Sequence, residues 1–171
     1  MSAAAVEALL PAPVELHARE REEIAEFLER YAHTLDDGRI DEWSAFFAHD
    51  AIYQVTTREN VEAGMPLGIV LCEGRGMMDD RIKALKIANI FESHTYRHVL
   101  GRPLVEALGG GRYAVRSSFV AYRTMYSGQT DVFATGRYDD VLQSGPPGLR
   151  FAQRRVVLDS RIVDTLMVYP L

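Results

Sequence analysis

A run of fourteen residues, from Tyr113 to Tyr126, constrains the fold of this chain more than any other feature. The run predicts one extended strand, which would be about 46 Å long at about 3.3 Å per residue. A strand of that length does not fit a small domain if the sheet is flat. The sheet must therefore bend. Gly136, inside the next predicted strand at 130–142, is a natural position for a bulge or kink.

The first part of the chain has helical periodicity. A long helix is predicted from Val14 to Leu35, because apolar residues recur there at the spacing of one helix face. These residues are Ile24, Phe27, Leu28, Tyr31 and Leu35. A short second helix is predicted over Asp41–Phe47, and a third helix from Gly76 to Ile87.

Strand signals dominate the remainder of the chain. Alternating apolar and polar residues predict a first strand over Ala51–Thr57, and a second is predicted over Leu67–Cys72. Further strands are predicted at 113–126, 130–142, 149–158 and 162–168. A helical first third followed by strands is typical of the α+β class. We therefore expect a cone, in which a strongly curved, mostly antiparallel sheet wraps around about three N-terminal helices.

Length and charge limit the class of the protein. The 171 residues correspond to one domain, which we place at residues 14–171 after a loose tail at residues 1–13. The net charge of −5 comes without a basic stripe, which argues against a nucleic-acid partner. No segment approaches the roughly 20 apolar residues that cross a membrane. The first ten residues make a poor signal peptide, because they lack a basic start and contain Glu7.

The chain contains one cysteine, Cys72. A disulfide within the chain is therefore excluded, as is a cysteine-rich zinc or iron–sulfur site. Nothing in the sequence marks Cys72 as an activated thiol. This use of cysteine is typical of the reducing cytoplasm, where we expect the protein to reside.

His94 and His98 have the i,i+4 spacing of two metal ligands on one helix face. The intervening residues Thr95-Tyr96-Arg97 favour an extended strand instead of a helix. In a strand the two histidines share a face but lie about 13 Å apart, which is too far to bind one ion. We therefore expect two polar residues in a hydrogen-bond network at a strand end.

A carboxylate, imidazoles and phenols fall on elements that could meet at the mouth of the cone. They are Tyr31, His33, Asp36, Tyr53 and His98. Around an apolar cavity such groups would suit proton abstraction, hydration or dehydration. The alternative is that Tyr31 belongs to the core face of its helix and Asp36 to the turn that follows. Because no fixed spacing ties these groups together, the structural interpretation is preferred.

Opposite charges are spread along the predicted strands. They are Glu106, Arg116, Arg123, Asp131, Arg137, Asp139, Asp140, Arg154 and Arg155. Cross-strand pairing on the outer face of the sheet would explain them. Contact with another subunit is the alternative. It is favoured because the run 113–126 carries apolar residues on both faces of its strand.

Separate stretches of the chain resemble the small (β) subunits of bacterial aromatic-ring-hydroxylating oxygenases. The family's Met-x-Asp-Arg element occurs as Met78–Arg81, and its Arg-His-hydrophobic-hydrophobic-Gly element as Arg97–Gly101. Residues 156–171 resemble the family's C-terminus with its final Pro-Leu, and residues 31–53 resemble its opening helices and first strand. The resemblance covers about residues 20–171 and is strongest to the branch that serves terephthalate, salicylate or anthranilate oxygenases.

The resemblance implies a cone fold of the nuclear-transport-factor type and a non-catalytic role in an α3β3 oxygenase component. The implied partners are the large (α) subunit and further copies of this chain as a trimer. The family's Rieske [2Fe–2S] cluster and mononuclear iron reside in the large subunit, so no catalytic, cofactor-binding or metal-binding residue is expected here. The single cysteine agrees, since a Rieske centre needs two Cys and two His.

Two other functions remain open at this stage. One is a stand-alone isomerase, dehydratase or cyclase that uses Tyr31, Asp36, Tyr53 and His98. The other is a small-ligand or adaptor module on the same scaffold. Whether the interior of the cone is filled distinguishes these functions. A filled cone supports the non-catalytic subunit, whereas an open apolar pocket over a carboxylate supports an enzyme.

Overall fold

The computed structural model describes residues 16–66, 68–88, 92–161, 167 and 169–171. Its helices are α1 (Ala18–Asp36), a 3₁₀ helix (Ile40–Phe46), α2 (Arg58–Glu62) and α3 (Arg75–Ala88). Its strands are β1 (Phe47–Thr57), β2 (Val70–Glu73), β3 (His94–Leu100), β4 (Leu104–Gly109), β5 (Arg112–Met125), β6 (Thr130–Gln143) and β7 (Arg150–Leu158). The predicted α+β class is confirmed.

The described strands form one curved sheet in the order β2-β1-β7-β6-β5-β3, and β4 also pairs with β5. Strands β1 and β7 run parallel, whereas the other neighbours are antiparallel. Strands β3 and β4 share one edge of β5, since β3 pairs with its residues 119–125 and β4 with residues 112–116. The mostly antiparallel sheet expected from the sequence is therefore confirmed.

Strand β5 confirms the long strand that the sequence predicts, and its side chains alternate between two faces. Tyr113, Val115 and Phe119 are buried, whereas Tyr122 is 38% exposed on the other face. The inner face closes over α1 and the 3₁₀ helix, so the core lies inside the curve of the sheet. The outer face carries the mixture of apolar and charged residues discussed below.

The pairing of β5 with β6 is irregular at Phe133 and not at Gly136. Ala121 pairs with Ala134 while Tyr122 pairs with Val132, so Phe133 is the extra residue of a bulge in β6. Gly136 continues the regular ladder, and a Cβ atom there would lie 2.1 Å from the main-chain oxygen of Val157. Glycine is needed at this position because β7 approaches the backbone closely, so the predicted kink at Gly136 is wrong.

Helix α1 begins at Ala18, which is later than the predicted start at Val14. His17 is extended (φ −70°, ψ 151°), and its main-chain N–H donates to the Glu20 carboxylate at 2.8 Å. A residue in this conformation caps a helix and does not continue it. The helix ends at Asp36, and Gly38 follows with φ 71°, a conformation that favours glycine.

The other predicted elements agree with the structure to within a few residues, with two differences. The second strand begins at Val70, because Gly68 and Ile69 approach β1 through a single Ile69 N–H to Val55 oxygen bond of 2.7 Å. The short helix α2 was not predicted. Residues 1–13 of the predicted tail, and residues 162–166 and 168 of the predicted last strand, lie outside the described residues. None of the described helices is long and apolar enough to span a membrane.

Candidate functional site

Four residues from distant parts of the chain form a hydrogen-bonded cluster in the core. The indole Nε1–H of Trp43 donates to the Tyr31 hydroxyl at 2.9 Å, and that hydroxyl donates to the main-chain oxygen of Leu171 at 2.9 Å. The main-chain N–H of Leu171 donates to the Tyr53 hydroxyl at 3.0 Å. All four residues are buried, so the protein satisfies these polar atoms in place of water.

Burial keeps both phenols protonated. It raises the pKa of Tyr31 to about 12, and the charge of Arg154 is the main opposing effect. Burial also raises the pKa of Tyr53 well above its usual value of 10.0. A general acid or base works best with a pKa near the operating pH. Tyr31 and Tyr53 therefore act as hydrogen-bonding groups near neutral pH and are poorly suited to carry a proton.

Aromatic rings fill the space around this cluster. The Trp43 ring lies edge-on to Tyr53 with centroids 4.9 Å apart, and edge-on to Phe47 at 5.4 Å. The Phe151 ring lies 5.3 Å from Tyr31 and 5.1 Å from Phe47. Rings at these separations are in direct contact. This part of the cone is therefore filled by side chains.

A buried ion pair lies beneath the Tyr31 ring. Arg154 Nη1 is 3.4 Å from Asp140 Oδ2, and both side chains are 1% exposed or less. The guanidinium carbon of Arg154 is 4.1 Å from the centroid of the Tyr31 ring and 3.6 Å from that of Tyr138. The two rings therefore attract the cation through their faces. The prediction that Asp140 and Arg154 lie on the outer face is wrong, because they pair directly across β6 and β7 on the inner face.

The ionisation of Asp140 reflects its burial. Desolvation raises the pKa of Asp140 from 3.8 to about 7, and the charge of Arg154 opposes that rise. Burial by itself lowers the pKa of Arg154, but Asp140 and the neighbouring tyrosines outweigh it and the net shift is upward. The arginine therefore stays charged, and the aspartate is the member of the pair that titrates.

A second buried cluster joins the end of α1 to β3. The Asp36 carboxylate accepts hydrogen bonds from the main-chain N–H of His98 at 2.9 and 3.1 Å and lies 2.6 Å from His98 Nδ1. Arg97 Nη1 approaches the same carboxylate at 3.6 Å. The side chains of Asp36 and His98 are each 1% exposed. Asp36 is therefore more than the turn residue that the sequence suggested, since it anchors β3 to the helix.

The four residues of the predicted cone-mouth site fall into two separate clusters. Tyr31 and Tyr53 meet at Leu171, whereas Asp36 meets His98, and no hydrogen bond among the described residues joins the two pairs. His33 lies in neither cluster, because its imidazole is 59% exposed and lies 4.0 Å from the Glu29 carboxylate. Among the described residues these groups therefore do not share the hydrogen-bond network that common acid–base chemistry would require.

His94 and His98 are held apart by a ring between them. Both belong to β3, as the sequence predicts, with Tyr96 at the intermediate position on the same face. The Tyr96 ring lies 5.1 Å from the His94 ring and 6.2 Å from the His98 ring. Within the described ranges, no group of three or more His, Cys, Asp or Glu side chains is placed to hold a metal ion. Cys72 is buried, and burial raises the pKa of its thiol, which disfavours the reactive thiolate.

The outer face of the sheet carries charged and apolar groups together. Asp139 lies 2.6 Å from Arg116 Nε and 3.1 Å from Arg137 Nε, so the predicted cross-strand pairing is present here. Tyr122 and Val132 face each other across β5 and β6 and are 38% and 56% exposed. A groove of about 450 Å³ adjoins the Arg116–Asp139 pair, and it is lined by Leu104, Glu106, Arg116, Asp139, Val141 and Gln153, among others.

Comparisons with known proteins agree with this architecture. The SnoaL-like domain family matches residues 16–155. The terephthalate 1,2-dioxygenase terminal oxygenase component subunit beta 2 of Comamonas sp. is 40% identical over 149 residues, which cover 87% of this chain and 97% of that protein. The chain belongs to the β subunits of the aromatic-ring-hydroxylating dioxygenases. The anthranilate 1,2-dioxygenase small subunit of Burkholderia cepacia is 36% identical over 142 residues, 83% of this chain and 88% of that one.

A solved structure supports the same assignment of this β subunit. It is a β subunit assigned to an aromatic-ring-hydroxylating dioxygenase of Novosphingobium aromaticivorans, with a TM-score of 0.81 and 32% identity. The match covers 88% of this chain and 96% of that one. The fold class and the family expected from the sequence are both confirmed, and the chain is a subunit of an oxidoreductase.

The two sequence elements that resemble the family have structural positions in this β subunit. Met78 is fully buried in α3, and Arg81 Nη2 donates to the main-chain oxygen of Met167 at 2.8 Å. Arg97 and His98 belong to the Asp36 cluster, and the Gly101 N–H donates to the Ser118 oxygen at 2.8 Å. Each element therefore joins segments that are far apart in the chain.

Two features of the β subunit core were missed in the sequence analysis. The alternation of inward and outward side chains along β6 and β7 could have revealed the buried ion pair. Asp140 lies on the same face of β6 as Tyr138 and Leu142, and Arg154 lies on the same face of β7 as Val156. The position of Leu171 in the core had no comparable signal. Its contacts are with residues 118 and 140 positions earlier, which no local pattern describes.

Proposed function

We propose that this chain is a non-catalytic β subunit, which supports the large (α) subunit in an α3β3 oxygenase component. The observation that carries the proposal is the filled centre of the cone, where Tyr31, Trp43, Tyr53 and Leu171 bond to one another. A catalytic pocket would need these polar groups to converge on a free volume. In this chain they converge on a residue of the chain itself.

The proposal assigns the redox groups to the large subunit. A Rieske centre needs two cysteines and two histidines, and this chain has one cysteine, which is buried. A mononuclear iron site of the facial-triad type needs two histidines and a carboxylate around one point. His94 and His98 do not fit that requirement, because the Tyr96 ring lies between them. The described residues of this chain therefore do not fit either group.

The proposal assigns the outer face of the sheet to contacts between subunits. Tyr122 and Val132 form an exposed apolar pair, and the Arg116–Asp139–Arg137 cluster lies on the same face. Apolar groups rimmed by charged side chains are typical of association surfaces. Arg123 does not belong to this surface, because its guanidinium lies over the Phe133 ring at 5.1 Å on the inner face. The threefold symmetry comes from the family and not from these contacts.

The names of the relatives support a proposal for the substrate class. The two curated relatives described above bear the names of terephthalate and anthranilate dioxygenases. Both names refer to aromatic carboxylic acids, so we propose that the assembled enzyme acts on an aromatic acid. The single cysteine and the family together support a cytoplasmic location. We propose no nucleic-acid or membrane partner.

One observation favours the alternative of a stand-alone isomerase, dehydratase or cyclase. Asp36 and His98 form a close carboxylate–imidazole pair, and no partner is described for the buried His98 Nε2. Such a pair could move a proton if a substrate reached it. No hydrogen bond among the described residues joins this pair to the Tyr31 or Tyr53 hydroxyl, so it would have to work without their direct help.

Iron content and turnover of the separate and combined subunits test the proposal. The chain, its large subunit and the co-expressed pair are purified and analysed for iron and for oxygen consumption with aromatic acids. We expect iron only where the large subunit is present, and full turnover only with both subunits. Stoichiometric iron on this chain alone, or turnover by it alone, would contradict the proposal.

A further inference from the structure

We propose that a surface groove between α1, the 3₁₀ helix and the loop from β6 to β7 binds a small aromatic carboxylate. The groove has a volume of about 670 Å³, which lies in the usual range of ligand sites. It is lined by Phe27, Arg30, Arg39, Phe46, Leu149 and Arg150, among others. Ligand binding by this chain itself goes beyond the proposed subunit role, so either proposal can fail without the other.

Apolar side chains form the floor of the groove. The ring of Phe46 is half-buried and lies 5.6 Å from the Phe27 ring, with an interplanar angle of 59°. Leu149, which is also half-buried, lines the groove from the loop between β6 and β7. A planar ring packs well against tilted aromatic rings and removes apolar surface from water when it does so. The floor therefore favours a ligand with an aromatic ring.

The acidic residues of the groove are already paired. Asp41 and Glu42 both line it, but Asp41 lies 2.6 Å from Lys86 Nζ and Glu42 lies 2.9 Å from Arg39 Nη1. Arg39 also lies 3.3 Å from the carboxylate of Asp37. These carboxylates and cations largely neutralise one another. The charge that remains for a ligand therefore comes from other residues of the groove.

Two further arginines supply that charge. Arg30 belongs to α1 and Arg150 is the first residue of β7, so they line the groove from different elements. Neither forms an ion pair with a carboxylate among the described residues. Arg150 Nη1 donates to the main-chain oxygen of Leu149 at 2.9 Å, which leaves its other N–H groups available. Guanidinium groups bind carboxylates through paired hydrogen bonds, so the two arginines favour an anionic ligand.

An aromatic carboxylate satisfies both features of the groove. Its ring would pack on Phe46, and its carboxylate would meet the guanidinium groups of Arg30 and Arg150. A neutral aromatic molecule would leave the arginines without a partner, and a simple anion such as phosphate would leave the floor in water. An acidic segment of another subunit is the competing occupant, and the experiments below distinguish it.

The probe for this site is para-fluorobenzoate, whose binding to the full chain is followed by fluorine NMR. The neutral analogue para-fluorobenzamide keeps the ring and removes the charge, and we expect it to bind about tenfold more weakly. Cyclohexanecarboxylate and inorganic phosphate are added as competitors and should displace the probe only at several-fold higher concentrations. No binding of the benzoate, equal binding of the amide, or equally strong competition by either anion would overturn the proposal.

Arginine variants locate the bound probe. Arg30→Gln and Arg150→Gln each remove one guanidinium, and the double variant should weaken para-fluorobenzoate binding by about tenfold or more. Arg19→Gln on α1 and Arg112→Gln on β5 remove the same charge outside the groove and are the matched controls. Unchanged affinity in the double variant, or an equal loss in the controls, would contradict binding in this groove.

A second variant tests the floor of the groove. Phe46→Leu removes an aromatic ring and keeps an apolar side chain in its place. It should weaken para-fluorobenzoate binding several-fold and leave competition by cyclohexanecarboxylate unchanged. Circular dichroism checks that each variant is folded. An equal loss for both carboxylates would show that the ring of Phe46 does not recognise an aromatic group, and would contradict the proposed ligand class.

The assembled enzyme distinguishes a ligand site from a subunit contact. The reacting acid would bind to the large subunit, so bound probe is counted in complexes that contain the wild-type chain or the Arg30→Gln/Arg150→Gln double variant. We expect one more bound probe per copy of this chain in the wild-type complex. Equal numbers in the two complexes would mean that another subunit fills the groove, and would overturn the proposal. The subunit role would still stand, because iron content and turnover test it.

Discussion

The guanidinium carbon of Arg154 lies 3.6 Å from the centroid of the Tyr138 ring, in a core where both residues are almost completely buried. The arginine also faces the Tyr31 ring and pairs with Asp140. A charge at this depth is stable only when its partners remain in place. The pair therefore ties β6 and β7 to helix α1 through a small set of contacts.

Removing one member of this pair should destabilise the fold strongly. Arg154→Met leaves Asp140 without its cation, and we expect the free energy of unfolding at pH 8 to fall by about 3–5 kcal/mol. The double variant Arg154→Met/Asp140→Leu removes both charges and should recover most of that loss. Urea denaturation of the purified chains provides the measurement. A double variant no more stable than the single one would contradict the account of an uncompensated charge.

The stability of the chain should depend on pH through Asp140. Its pKa is raised from 3.8 to about 7 in the fold, so the folded state binds this proton more tightly than the unfolded state does. The stabilising contribution of Asp140 protonation to the free energy of unfolding is fully present below pH 4. It declines as the pH rises towards 7 and is lost above pH 7. Denaturation curves from pH 4 to 8 measure it, with Asp140→Asn as the reference.

The difference in unfolding free energy, wild type minus Asp140→Asn, should therefore fall across that range. A difference that stays constant between pH 4 and 8 would show that the folded chain does not raise this pKa. An increase with pH would show that the pairing with Arg154 outweighs desolvation at this site.

Leu171 should contribute to stability as a core residue. It is fully buried, so Leu171→Ala should lower the free energy of unfolding by about 2–5 kcal/mol. Leu108 is 50% exposed, and Leu108→Ala is the matched control with a loss below about 1 kcal/mol. Urea denaturation of both variants makes the comparison. Equal losses would mean that Leu171 does not pack in the core.

Asp36 and His98 should matter for stability and not for turnover. Asp36→Asn weakens the acceptor for the His98 N–H and Nδ1, and we expect a loss of about 1–3 kcal/mol. The assembled enzyme should keep its turnover per iron, because the proposal assigns every redox group to the large subunit. His33→Gln, at an exposed imidazole, should change neither property. Loss of turnover with normal stability would place Asp36 in the chemistry.

The elements of this fold could be predicted because their signals are local. The apolar face of α1 and the alternation of β5 each reflect side chains that point to one interior. The bulge was placed wrongly because a bulge depends on the pairing of two strands. Nothing in the sequence around Phe133 indicates that it is the extra residue of a bulge. Gly136 was predicted instead because glycine is common at bulges and kinks.

The functional clusters were harder to predict because they join distant segments. Asp36 and His98 are 62 positions apart, and Tyr31 and Leu171 are 140 positions apart. Sequence analysis grouped Tyr31, Asp36, Tyr53 and His98 by chemistry, and packing divided them between two clusters. The family could still be recognised, because Met78–Arg81 and Arg97–Gly101 are short continuous elements.

The outer face of the sheet should control assembly. Arg116→Glu replaces the guanidinium that lies 2.6 Å from Asp139, so two carboxylates would face each other across β5 and β6 on the proposed subunit surface. We expect a folded chain by circular dichroism with a lower assembled mass. Arg19→Glu is the matched control, since it breaks a surface pair with Glu23 on α1 and should leave the mass unchanged.

The mass of the co-expressed complex tests the central claim most directly. Native mass spectrometry of this chain with its large subunit gives the copy number of each chain and the content of iron and sulfide. The account predicts three copies of each chain, with all iron released together with the large subunit. A single 1:1 pair, or a complex in which this chain carries the iron, would contradict it.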